Sequence, residues 1–84
     1  MKIRVRYFAS IREALGRGED ALDVPAGSTV AQLRDLLMAR SALHGQALAR
    51  ERAVRVALDQ VMCDESAPLA EGSEVAFFPP VTGG

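Results

Sequence analysis

Alternating apolar and polar residues at both ends of the chain, with one well-capped helix between them, constrain the fold most. Ile3, Val5 and Tyr7 alternate with Lys2, Arg4 and Arg6, the period of a half-buried strand. Phe8 breaks the rule, falling on the face of the arginines. Ser73 to Phe78 repeats the pattern, with Val75 and Phe77 on one face and Glu74, Ala76 and Phe78 on the other. Pro79-Pro80 ends that strand, because neither proline has a backbone N–H to donate. Thr29-Val30-Ala31-Gln32 is a T-x-x-Q capping signal. Val30, Leu33 and Leu37 follow at helical spacing, with Leu36 on the flank and Arg34 and Asp35 off the apolar face. The spacing predicts a helix over residues 30–40.

Weaker signals fill the intervals. Ser10-Ile11-Arg12-Glu13 reads as a capping box opening a short helix that Gly16 ends. Ala21 to Val24 suits a second strand, stopped by Pro25-Ala26-Gly27. Residues 41–53 show no clean period and are expected to hold a loop and some helix. Val54, Val56 and Leu58 alternate as a third strand, and Asp59-Gln60 turns the chain into a short strand at Val61-Met62-Cys63. Pro68-Leu69 and Glu71-Gly72 mark further turns. Two strands, a crossing helix and returning strands suit an α+β fold. The arrangement expected is the β-grasp, or ubiquitin-like, fold, a mixed sheet with one main helix on one face and the other face open. A single domain over 1–80 is expected, followed by a tail at 81–84. A chain of 84 residues has a modest core, burying about 60% of its unfolded surface.

Composition narrows the function. An apolar content of 49% marks a folding chain. A formal net charge of −1 argues against a general nucleic-acid binder, which carries a basic excess. No apolar run approaches the ~20 residues of a membrane span, and Lys2, Arg4 and Arg6 interrupt any secretory pattern. One cysteine, Cys63, allows no internal disulfide and fits a reducing, cytoplasmic setting. Cys63 reads as an ordinary strand residue. His44 has no ligand pattern around it, so a surface histidine is expected and no metal site. Glu13, Glu71 and Glu74 fall at caps, turns and strand faces and form no acid–base pair.

The chain closes on Gly83-Gly84. A terminal carboxyl with a pKa of about 3.5 is an anion at neutral pH and a poor electrophile. It reacts only after activation, for instance as an acyl-adenylate. The chain has neither a G-x-x-x-x-G-K-[ST] loop nor a G-x-G-x-x-G motif with which to activate itself. Gly16-Arg17-Gly18 is a lone G-x-G and reads as a turn. The terminus is therefore expected to be the substrate of a partner. Glycine, lacking Cβ, suits entry into a narrow cleft.

Several of these residues are shared with a known family. Phe8-Ala9 followed by Arg12-Glu13 and Gly16, then Pro68-Leu69, Gly72-Ser73-Glu74-Val75 and above all Phe77-Phe78-Pro79-Pro80-Val81-Thr82-Gly83-Gly84 resemble the small subunits of molybdopterin synthase, a family of sulfur carriers. The resemblance spans the chain and is weakest over 41–53. It implies that an activating enzyme related to ubiquitin-activating enzymes adenylates Gly84 with ATP-Mg. Sulfur from a persulfide donor then replaces AMP to leave a thiocarboxylate. It also implies docking on a large subunit in a heterotetramer, with sulfur passing to cyclic pyranopterin monophosphate during molybdenum cofactor biosynthesis. The chain would bind no cofactor itself and would not be catalytic alone.

On this reading Gly84 carries the reaction, and Pro80, Val81, Thr82 and Gly83 thread into the partner. Phe8 and Phe78 are expected to form one apolar patch on the open sheet face, as part of the partner interface with Pro79. Met62 matches a partner-contacting position of the family; Arg12 matches a family-typical arginine and reads equally as a partner contact or a solvated helix residue. Three other functions fit the same terminus: a carrier for another pathway such as thiamine biosynthesis, a modifier joined to lysines by isopeptide bonds, and a β-grasp binding module with an idle tail.

Overall fold

A computed structural model describes residues 1–80; Val81, Thr82, Gly83 and Gly84, and the expectations placed on them, lie outside the described residues. The elements in chain order are β1 (Lys2–Tyr7), α1 (Ala9–Leu15), β2 (Glu19–Asp23), α2 (Val30–Met38), α3 (Ala42–Ala47), β3 (Arg55–Leu58), β4 (Val61–Cys63) and β5 (Glu74–Phe78). The five strands form one mixed sheet in the order β2-β1-β5-β3-β4. β1 and β5 run parallel at its centre, and the other pairs are antiparallel. This is the expected β-grasp arrangement, with α2 as the main helix and the shorter α1 and α3 beside it.

The alternation in the sequence sorts the sheet into two faces. Ile3, Val5 and Tyr7 of β1 and Val75 and Phe77 of β5 are buried against Val30, Leu33 and Leu37 of α2 and against Leu48. Each such side chain, fully buried, contributes about 1.5–3 kcal/mol. Thr29 caps α2 as read, its hydroxyl accepting from Gln32 N–H while the Gln32 side chain accepts from Thr29 N–H. Two further N–H groups of the first turn, on Val30 and Ala31, donate to the carbonyls of Ala67 and Glu65 at 3.0 and 2.9 Å. The loop before β5 thus satisfies donors that a helix leaves unpaired. Asp59 and Gln60 turn β3 into β4 with φ of 48° and 69°, the paired positive angles of a tight hairpin.

Two local readings are corrected. Ser10 does not cap α1. The helix starts at Ala9, its N-cap is Phe8, and no side chain caps it. Phe8 is still extended, donating its N–H to Phe77 O at 3.1 Å while its own carbonyl accepts from Ile11 N–H at 3.2 Å. Ala9, at φ 51°, makes the turn from strand to helix in one residue, so Ser10 already lies inside the first turn. Gly16 ends the helix as expected, at φ 71°.

Residues 41–53 hold some helix and a loop, as expected: α3 forms with Ser41 as its cap. The second correction is Arg34, which is buried rather than off the apolar face. Its Nε donates to Leu48 O at 2.8 Å and its Nη2 to Ala49 O at 3.1 Å. Position 34 follows 30, 33 and 37 on one helical stripe, so geometry places it inward. Two carbonyls at the end of α3 make its burial tolerable, since a buried charge needs partners.

Candidate functional site

Where β5 ends, the chain leaves the sheet between two aromatic rings and a group of arginines. Phe8 and Phe78 both stand on the open face, as expected from the alternation. They meet edge to face with centroids 6.4 Å apart, a geometry worth about 0.5–1.5 kcal/mol beyond area burial. Phe8 is 38% exposed and carries the Arg6 guanidinium 5.2 Å above its ring. Arg6 Nη1 in turn lies 3.6 Å from Glu74 Oε1.

The register extends this patch across the sheet. Ala76 pairs with Ala57, and Ala57 with Met62. An apolar strip therefore runs Phe8, Phe78, Ala76, Ala57, Met62, and Met62 at its far end is 50% exposed. Arg55 pairs with Phe78 across β3 and β5 and is exposed. Contiguous apolar surface with a polar border is the usual character of an interface. Pro79 is half-buried and Pro80 exposed. Both line a groove of about 220 Å³ with Ser10, Ile11, Arg52 and Ala53.

Arg12 is exposed on α1, but its guanidinium folds over Gly18, where a Cβ would lie 3.2 Å from Cζ. It is thus placed against the start of β2 rather than within the Phe8–Phe78 pair. Arg52 and Arg55 are the residues of this region that sequence reading missed. Arg55 carried a usable signal, because it alternates with Val54 and Val56 on the face of Phe78.

The opposite side of β1 holds a second polar constellation, which serves the fold. Asp20, its side chain 3% exposed, accepts from Tyr7 Oη at 2.8 Å and from His44 Nε2 at 3.1 Å. Arg17 Nη2 and Arg40 Nη1 lie 3.3 and 3.2 Å from its other oxygen. His44 Nδ1 meets Ser41 Oγ at 2.8 Å. Both ring nitrogens of His44 thus have hydrogen-bond partners, Nε2 with Asp20 and Nδ1 with Ser41.

His44 is therefore buried and not, as expected, on the surface. Its acidic partner lies 24 residues away in the chain, which local pattern cannot show. Burial pushes the Asp20 carboxyl up, but hydrogen bonds from Tyr7 and His44, with Arg17 and Arg40 nearby, outweigh it and hold it below the ordinary range. Burial, then the bond to Asp20, holds the Tyr7 phenol above its ordinary value. Cys63 is half-buried, and burial raises its thiol, opposite to what a reactive thiolate needs. Among the described residues no three His, Cys, Asp or Glu side chains are grouped to hold a metal ion, and no helix is long and apolar enough to cross a membrane.

Comparison with known proteins finds relatives over nearly the whole chain. The ThiS family model matches residues 5–84. The molybdopterin synthase sulfur carrier subunit of Escherichia coli is 42% identical over 83 residues, covering 98% of this chain and 99% of that protein. Among solved structures, SAMP1 from Haloferax volcanii superposes with a TM-score of 0.81 at 26% identity, each chain covered in full. A chain in the complex of subunits 1 and 2 of the molybdopterin-converting factor from Helicobacter pylori shares the fold, with a TM-score of 0.69 at 23% identity and both chains covered in full. The family match and the 42% identity over nearly the whole of both chains show that the chain belongs to the ThiS family, among the sulfur carrier subunits of molybdopterin synthase.

Proposed function

We propose that the folded body, residues 1–80, is a docking handle and that the tail at 81–84 carries the sulfur. The observation that supports this most is that the family match runs through residue 84, beyond the strand that Phe8 and Phe78 anchor. An adenylating enzyme consumes ATP-Mg to join AMP to the Gly84 carboxylate, releasing pyrophosphate. A persulfide sulfur displaces AMP, and a thiol cleaves the remaining S–S bond to leave the thiocarboxylate. Sulfur is more polarisable than oxygen, so this terminus is the better nucleophile. It attacks cyclic pyranopterin monophosphate, and water later releases Gly84 as a carboxylate. The chain binds no cofactor of its own and acts in the cytoplasm.

The large subunit supplies the catalytic side chains, and the two proteins assemble as a heterotetramer. The Helicobacter pylori complex, in which a chain of this fold is paired with a second subunit, supports such a partner. Phe8, Phe78, Pro79 and Met62 form the docking surface, with Arg12 at its margin. Four residues beyond Pro80 span at most about 14 Å when extended, enough to enter a pocket while the body stays outside. Pro79-Pro80 stiffens the exit and lowers the entropy lost on threading.

The test is mass analysis of the chain after incubation with the activating enzyme, ATP-Mg and a persulfide donor, followed by single-turnover transfer to the pterin. A mass gain of one sulfur in place of one oxygen at Gly84, with transfer only when the large subunit is present, is the expected result. Turnover by the thiocarboxylated chain alone, at the rate of the complex, would overturn it. The likeness to SAMP1, a small archaeal modifier protein, supports a second reading, isopeptide attachment to lysines. Recovery of lysine conjugates instead of thiocarboxylate would select it.

A further inference from the structure

Two arginines without an ion pair stand at the tail exit. Arg55 stands across from Phe78, and Arg52 lines the groove with Ser10, Ile11, Ala53, Pro79 and Pro80, in which there is no carboxylate. Among the described residues neither arginine has a carboxylate within ion-pair distance, which is also true of Arg4 and Arg12, whereas Arg6, Arg17, Arg34, Arg40 and Arg50 all have one. The acidic groups nearest in sequence or register are Glu51, exposed beside Arg52; Asp64 and Glu65, which share a groove with Arg55 beyond the β3–β4 pairing; and Glu74, which Arg6 engages. Two unpaired guanidiniums thus flank the point where the chain leaves the sheet.

We propose that Arg52 and Arg55 form a basic collar that docks on an acidic rim around the mouth of the partner's tail-receiving channel. The proposal rests on the reading that the tail threads into a partner. Distance decides between a protein rim and the phosphate of a substrate. An extended tail carries the Gly84 carbon about 13–14 Å beyond Pro80, out of reach of side chains held at the exit. The collar meets whatever surrounds the channel entrance, and a surface complementary to two cations and an apolar strip is a carboxylate-bearing one with an apolar socket. Exposed charges at such a border act mainly on the rate of encounter.

The experiment measures association and dissociation rates with the large subunit from the same organism at low and high salt. Wild type is compared with the charge-reversed double variant R52E/R55E, the neutral pair R52Q/R55Q and F78D, each checked by a thermal melt. The reversed pair should associate on the order of 10-fold or more slowly at low salt, with little change in dissociation, and the neutral pair should lose most of the salt dependence. Wild-type association rates and salt slope in both pairs would overturn the collar. If F78D also leaves docking unchanged, the docking reading itself fails; if F78D weakens docking at all salt concentrations, only the collar does. Binding of a single-stranded RNA that depends on Arg52 and Arg55, with subunit association unaffected, would likewise overturn the acidic-rim assignment.

Discussion

Tyr7 ends β1 and Phe8 is the next residue, yet they feed opposite kinds of site. Tyr7 points inward, meets the His44 ring edge to face at 6.2 Å and donates to Asp20. Phe8 points outward, meets Phe78 edge to face at 6.4 Å and carries Arg6. Both regions combine aromatic rings with arginines. In the inner one, every polar group finds its partner inside the chain, and no buried side-chain nitrogen or oxygen among the described residues is left without one. In the outer one, rings stay half exposed, and among the described residues Arg52 and Arg55 have no carboxylate within ion-pair distance. Satisfied groups of this kind stabilise a fold, whereas unsatisfied ones at an apolar surface suit a partner.

The largest effect that would break this comparison is on stability. Replacing Asp20 by Ala strands Tyr7 Oη and His44 Nε2 and leaves Arg17 and Arg40 without their carboxylate. Removing one member of a buried charged cluster costs about 3–5 kcal/mol. A urea melt should show a loss of that size, while protein still folded should dock with unchanged affinity. A loss under about 1 kcal/mol would mean that the inner cluster does not hold α3 and β2 together. The converse variant, Phe78→Asp, should leave the melt near wild type and weaken docking by about 100-fold or more, because central apolar anchors dominate interfaces. Global unfolding would place Phe78 in the core instead.

Acid sharpens the difference further. The Asp20 carboxyl holds its proton less tightly in the fold than in the unfolded chain. The stability it adds is therefore complete above the unfolded value of about 3.9 and drains away as pH falls through the lower folded value. Asp20→Asn should flatten that part of the stability–pH curve, read as the difference from wild type in melts taken at successively lower pH. Parallel curves would contradict the assignment. The smallest effect belongs to Ala9, the hinge between the two regions. At φ 51° an L residue is strained and glycine is not. Ala9→Gly should therefore keep or raise stability within about 1 kcal/mol, whereas glycine inside a helix ordinarily costs about that much. A loss of 1 kcal/mol or more would show that the strain is absent.

The outer region was the more legible in sequence. Strand period placed Phe8 and Phe78 on one face, parallel β1–β5 pairing brought them together, and Thr29 and Gln32 announced the start of α2. These signals are local, lying within a few residues of one another. The inner region was illegible for the complementary reason. Asp20 and His44 are 24 residues apart, Arg34 and Leu48 14 apart, and a charged side chain on an apolar stripe reads as exposed until its distant partner is known. Ser10 misled differently. Its S-x-x-E spacing was right for a cap, but Phe8 had already ended the strand and Ala9 had begun the helix.

The central claim is that the folded body only presents the tail and that Gly84 does the chemistry. It is tested most directly by single-turnover sulfur transfer to the pterin precursor, with the large subunit present, for wild type and for a variant lacking Gly84. Removing one residue moves the reacting carbon by about 3.5 Å along an extended tail, and a misplacement of even ~1 Å can cost on the order of 100-fold in rate. The account predicts that the deletion abolishes thiocarboxylate formation and transfer while the melt and most of the docking affinity stay as in wild type. Wild-type transfer by the deletion variant would contradict it.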